Sequence, residues 1–125
     1  MSGFQSKRKS ANRFGVVAPE LRTLDGHVFA SKKEMTRYAE LKVGIRAQII
    51  SDLELQPKFP VFLPSKDGTK EGLFCTYTAD FRYKKDGVEV IEELKSSGTA
   101  KDAAYRLRKK AAEMYHNIKV SVLIK

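Results

Sequence analysis

The chain has 125 residues, 42% of them hydrophobic and 10% aromatic, the composition of a folded globular chain with room for one core. Lys and Arg number 24 against 15 Asp and Glu, a formal charge of +9, so the expected partner is a polyanion, with nucleic acid ahead of a membrane surface. No apolar run approaches the roughly 18 residues of a spanning helix, no signal-peptide pattern opens the sequence, and the lone Cys75 rules out an intrachain disulfide or a cysteine-rich zinc site; an intracellular protein is expected.

Residues 1–18 are polar and basic, with Lys7, Arg8, Lys9 and Arg13 among Ser, Gly, Asn and Gln. That composition predicts a disordered arm, or one that lies along a ligand, ahead of a single domain over residues 19–125. Asp25-Gly26 predicts a short hairpin, because the pair favours turns that match strand twist. Ser31-Lys32-Lys33-Glu34 then fits a capping box. Met35, Tyr38, Ala39, Leu41 and Ile45 follow at helical spacing, so a helix is expected up to Gly44 or Arg46.

A strand is expected within residues 49–63, bent or at an edge because Pro57 and Pro60 interrupt it. A turn at Lys66-Asp67-Gly68 precedes a second strand, expected to run unbroken over residues 73–83. Asp86-Gly87 makes the next tight turn, and a third strand covers residues 88–95. Thr99 with Asp102 caps a second helix, whose expected buried face is Ala103, Ala104, Leu107, Ala111, Met114 and Tyr115. Arg106, Lys109 and Lys110 fall away from the centre of that face. Residues 118–124 are apolar enough to predict a final strand covered on both sides.

The chemistry concentrates in Asp80, Glu93 and Lys95. A hairpin centred on Asp86-Gly87 places Asp80 opposite Glu93, thirteen residues further on. Alternation along a strand puts Glu93 and Lys95 on one face and Glu92 on the other. Two carboxylates suit Mg²⁺, which takes one or two of them with waters and a substrate phosphate. Such an ion stabilises charge on the phosphate and acidifies water, while Lys95 orients the attacking water.

Ala79-Asp80-Phe81 followed by Val90-Ile91-Glu92-Glu93-Leu94-Lys95 resembles the PD-(D/E)xK nuclease signature, an apolar strand ending in acid-x-Lys. Phe29, Ser31-Lys32-Lys33-Glu34, Tyr38 and Leu53-Glu54-Leu55-Gln56-Pro57-Lys58-Phe59 look like one branch of it, a family of small phage proteins. The resemblance covers residues 21–125. It implies an α/β restriction-endonuclease-like core in the order helix-strand-strand-strand-helix-strand, with a mixed central sheet flanked by the two helices. It also implies cleavage of DNA with Mg²⁺, for which Mn²⁺ substitutes, in a bacterial host's cytoplasm. Glu34 joins Asp80 and Glu93 as an implied metal ligand, and Gln56 and the second helix are expected near the site. Ala79 stands where the signature has Pro, and Ser96-Ser97 separate Lys95 from Gly98, where relatives place Gly directly after the Lys.

So short a chain has no room for a sequence-reading domain, which favours recognition of backbone and shape. Small resolvases of this fold act as dimers, and the expected substrate is a Holliday junction or other branched DNA, cut by a homodimer. A nicking or non-specific nuclease is the close alternative, and a non-catalytic DNA-binding protein the alternative of another class. Candidate DNA contacts are Gln56, Lys58, Lys101, Tyr105, Arg106, Arg108 and Lys109. Each residue also has an ordinary reading. Glu34 completes a helix cap, Gln56 ends a strand, the basic residues of the second helix form a solvated face, and Tyr105 sits at an amphipathic boundary. His27 and His116 show no ligand spacing, and Cys75 is expected to pack as a small hydrophobe.

Overall fold

The computed structural model describes residues 17–96, 98 and 101–124. Residues 1–16 of the expected basic arm and the expected cap residue Thr99 lie outside the described residues. The chain divides into two compact units between Arg46 and Ala47.

In the first unit a 3-10 turn, Pro19–Arg22, leads into β1 (Thr23–Leu24) and β2 (His27–Val28). The pair is antiparallel, and Asp25 and Gly26 form its turn at φ 53° and 75°, the conformation expected of Asp-Gly. Helix α1 spans Lys32–Arg46. The Ser31 hydroxyl accepts from the Glu34 N–H at 3.1 Å, so this half of the predicted capping box forms. Tyr38 and Leu41 are buried along the predicted stripe, and the Tyr38 hydroxyl donates to Asp25 Oδ2 at 2.7 Å. That bond pins the hairpin turn to the helix, and with burial it raises the phenol's pKa.

The second unit is built on β3 (Ile50–Leu55), β4 (Lys58–Pro64), β5 (Glu71–Thr78), β6 (Phe81–Lys85), β7 (Val88–Lys95), α2 (Ala103–His116) and β8 (Val120–Ile124). One sheet has the order β3-β6-β7-β8, and β4-β5 form a second. The first sheet is mixed: β3, β6 and β7 are antiparallel neighbours, while β8 returns through α2 to lie parallel to β7. The architecture is therefore mixed α/β.

Two expected strands each prove to be two. The region of residues 49–63 splits into β3 and β4, and residues 73–83 into β5 and β6. Because β3 pairs with β6 and β4 with β5, the four strands form one antiparallel ribbon bent where Gln56-Pro57 faces Ala79-Asp80. Proline has no N–H for a ladder, and Gln56 takes φ 50°, so neither residue continues a regular strand. The bend is held by Gln56 N–H to the Asp80 carbonyl at 2.9 Å and Ala79 N–H to the Pro57 carbonyl at 3.1 Å. Pro60, expected to interrupt pairing, lies inside β4 opposite Thr76.

The core of this unit gathers Phe59, Val61, Tyr77 and Ala79 from the ribbon, Ile91 and Val120 from the larger sheet, and Tyr105 and Ala112 from α2. Cys75 packs against it, as expected. The buried face of α2 meets the predicted one only at Ala111, half-buried against the core: Ala103, Ala104, Leu107, Met114 and Tyr115 are exposed, and Tyr105 and Ala112 are buried. The helix turns Tyr105, Lys109, Ala112 and His116 inward at spacings of four, three and four, with Tyr105 and Ala112 packed in the core cluster. Lys109 spends its charge on Glu113 at 3.4 Å, and His116 bonds the Pro60 carbonyl at 2.7 Å. The last strand begins at Val120 rather than at residue 118. Only Val120 is buried and Ile124 is exposed, so it is an edge strand and not one covered on both faces.

Candidate active site

The site grows from the bend in the ribbon. Ala79 is fully buried, and Asp80 follows it between β5 and β6. Asp80 is thus not a mid-strand residue; it stands where the chain passes from one sheet to the other. Its N–H donates to the Glu92 carbonyl at 3.0 Å, and its Oδ2 accepts the Leu94 N–H at 2.8 Å. The β6–β7 ladder pairs Phe81 with Glu92, so one step beyond it Asp80 faces Glu93. Leu94 has run past the end of β6, and the carboxylate satisfies an N–H that has no strand partner there.

Alternation along β7 separates the two neighbouring glutamates as predicted. Glu92 accepts from the Tyr83 hydroxyl on one face, and Glu93 accepts from the Tyr77 hydroxyl on the other. Both carboxylates are buried, at 3% exposure each. A buried carboxylate is costly without partners, and Glu93 has two, since Lys95 Nζ lies 2.9 Å from its Oε2. The Lys95 ammonium in turn sits 4.8 Å from the centre of the Tyr105 ring, a cation–π distance.

Tyr105 enters from the first turn of α2, where Asp102 caps the helix by accepting the Tyr105 N–H at 3.3 Å. Its side chain is 4% exposed, yet its hydroxyl is the one buried side-chain polar atom without a hydrogen-bond partner among the described residues. Burial, then the charge of Glu93 and the hydroxyl's interaction with that carboxylate, raises its pKa, against a smaller opposing effect of Tyr77. Tyr77 is likewise pushed well above the usual phenol range by burial and by its bond to Glu93. Both phenols are therefore neutral donors at any ordinary pH. Asp80, Glu93, Lys95, Tyr77 and Tyr105 form one cluster; the last of these was expected only as a DNA contact, and Tyr77 was not expected at all. Sequence offers no signal for Tyr77, because its distance from Glu93 along the chain says nothing until the ribbon folds over β7.

Of the other candidates, Gln56 stands beside Asp80, donating its N–H to the Asp80 carbonyl at 2.9 Å. Glu34 is buried on α1 in the first unit. Gln56 is exposed at the bend and Lys58 begins β4 opposite Thr78. Lys101, Arg106 and Arg108 are exposed, whereas Lys109 is half-buried and paired with Glu113. Among the described residues no group of three or more His, Cys, Asp or Glu side chains is arranged to hold a metal ion. Two oxygen donors on facing residues still match the donor set of Mg²⁺, which keeps most of its waters, and the orphaned Tyr105 hydroxyl beside them is an unfilled polar position. The residues fit such an ion.

No helix among the described residues is long and apolar enough to cross a membrane. No curated protein and no solved structure matches the chain. A family model does match, over residues 19–125, and the chain belongs to that family, described as protein of unknown function (DUF1064).

Proposed function

We propose that this DUF1064 protein is a Mg²⁺-dependent DNA endonuclease with a restriction-endonuclease-like core, selective for branched DNA such as a four-way junction and acting as a homodimer. The observation that carries the reading is the meeting of Asp80, Glu93 and Lys95 beside a buried hydroxyl with no partner. Asp80 and Glu93 would hold the ion. When bound, the ion would neutralise charge growing on the phosphate and make water more acidic. Lys95, held by Glu93 and the Tyr105 ring, places its ammonium where an attacking water and an anionic phosphate would both be stabilised. The Tyr105 hydroxyl has a proton to give to a phosphate oxygen. Leaving a buried donor unmade costs about 1–3 kcal/mol, and a substrate oxygen would recover that.

The charge of +9 and the exposed Lys101, Arg106 and Arg108 on and before α2 support a polyanionic substrate. Incubation of the purified protein with a synthetic four-way junction, duplex and single strands, in Mg²⁺, Mn²⁺ or EDTA, tests the reading. Metal-dependent cutting, strongest on the junction, is expected. Absence of cutting on every substrate with either metal overturns the enzyme, and tight binding without cutting identifies a DNA-binding protein instead.

A further inference from the structure

Tyr77 belongs to neither strand of the acid-x-Lys pattern. It lies on β5, 3% exposed, with its ring stacked on Phe59 at 6.3 Å. From there its hydroxyl crosses to the neighbouring sheet and donates to Glu93 Oε1, while Lys95 holds Oε2 at 2.9 Å. The two oxygens are thus held by two donors from two different elements, which removes the freedom of the carboxylate to swing about its last torsion. Each carboxylate oxygen has two lone pairs, so both oxygens keep room for a cation while they are held. A buried tyrosine often donates to whatever acceptor is near. Here the acceptor is the buried acid that faces Asp80, and its orientation decides whether two carboxylates can share one ion.

We propose that Tyr77 is a positioning residue for a divalent-cation site at Asp80 and Glu93: its hydroxyl holds the Glu93 carboxylate in the orientation that binds the cation. The β4–β5 arm therefore sets cation affinity, although it carries no ligand itself. This inference rests on the reading of Asp80 and Glu93 as cation ligands. Partners that hold a ligand from behind typically contribute about 10- to 100-fold to metal affinity.

The test is Mn²⁺ binding to the full chain without DNA, by calorimetric titration and by the electron paramagnetic resonance of free Mn²⁺. Wild type should bind, and Glu93→Gln should not. Tyr77→Phe, which deletes only the hydroxyl, should bind about 10- to 100-fold more weakly. In cleavage assays the same variant should need proportionally more metal for half-maximal rate and approach the wild-type rate at saturation. Tyr83→Phe deletes the matching bond to Glu92 on the opposite face and should leave Mn²⁺ affinity unchanged. Should Tyr77→Phe fail to fold, Phe59→Leu loosens the Tyr77 ring while keeping its hydroxyl, and a several-fold weakening is expected. Wild-type affinity in the variant titrated overturns the positioning role while leaving the cation site intact, and equal weakening in Tyr83→Phe overturns it as well. A wild type that binds no Mn²⁺, or a Glu93→Gln that binds normally, overturns the cation site itself.

Discussion

Asp80 combines two tasks in one carboxylate. It caps the Leu94 N–H with Oδ2 and faces Glu93 across the end of the ladder. Asparagine keeps an oxygen for the Leu94 N–H but loses the charge, so Asp80→Asn should fold normally, bind DNA about as well, and lose cleavage. A variant that still cuts places the chemistry elsewhere. Glu34 carries two readings that substitution separates. Gln serves a capping box as Glu does, so Glu34→Gln should retain the melting temperature, and a loss of cleavage with an unchanged melt would assign the acid to the metal rather than the cap. The tyrosines make a prediction in pH. Tyr77 and Tyr105 are both raised, mainly by burial, and stay protonated in the folded chain above pH 10, where the unfolded chain releases both protons. The unfolded state then binds fewer protons, so stability falls as pH rises beyond about 10, by ~1.4 kcal/mol per pH unit for each tyrosine. Denaturant melts from pH 8 to 11 should show the slope, and Tyr105→Phe should remove part of it, the rest coming from Tyr77 and from Tyr38, whose bond to Asp25 also raises its pKa. The acid-x-Lys run, the Asp80–Glu93 facing and the separation of Glu92 and Glu93 onto opposite faces were all legible from turn chemistry and strand alternation. The Tyr77 bond was not, because it joins residues of different sheets.

At the scale of the elements, helix α2 shows why apolar spacing misplaces a face. Leu107, Met114 and Tyr115 look like a core stripe, but they are exposed at 61%, 73% and 48%. The packed side instead carries a tyrosine, a lysine, an alanine and a histidine, each with a partner or a tight fit. Ala112 is fully buried, so Ala112→Leu should overpack the interface with the ribbon and cost about 1–3 kcal/mol, measured by denaturant titration. With Lys109 paired to Glu113, Arg106 and Arg108 are the exposed α2 cations that the DNA reading assigns to phosphates. Removing both should weaken DNA binding and flatten its salt dependence by about one unit of slope per lost contact; an unchanged slope returns that face to solvent. Gln56 holds a left-handed φ of 50° immediately before Pro57, a conformation that costs a residue with a side chain about 1 kcal/mol or more.

At the scale of the whole molecule, the formal charge of +9 and the DNA reading predict binding that weakens steeply with salt. A homodimer, if the proposed reading holds, would sediment at twice the 14.1 kDa mass of the chain. The amino-acid order alone determined the local features: the Asp-Gly turns, α1 and its Ser31 cap, the third strand and the facing acids. Each of these depends on residues a few positions apart, through backbone preference or side-chain alternation. Only the tertiary structure decided where strands divide, which side of α2 is buried and which tyrosine holds Glu93. A ribbon bends only when two segments bend together, so Gln56-Pro57 and Ala79-Asp80 each look unremarkable until they are opposed. A helix face is likewise settled by what it packs against, so Tyr105 and Ala112 join the core while Leu107 and Met114 stay exposed.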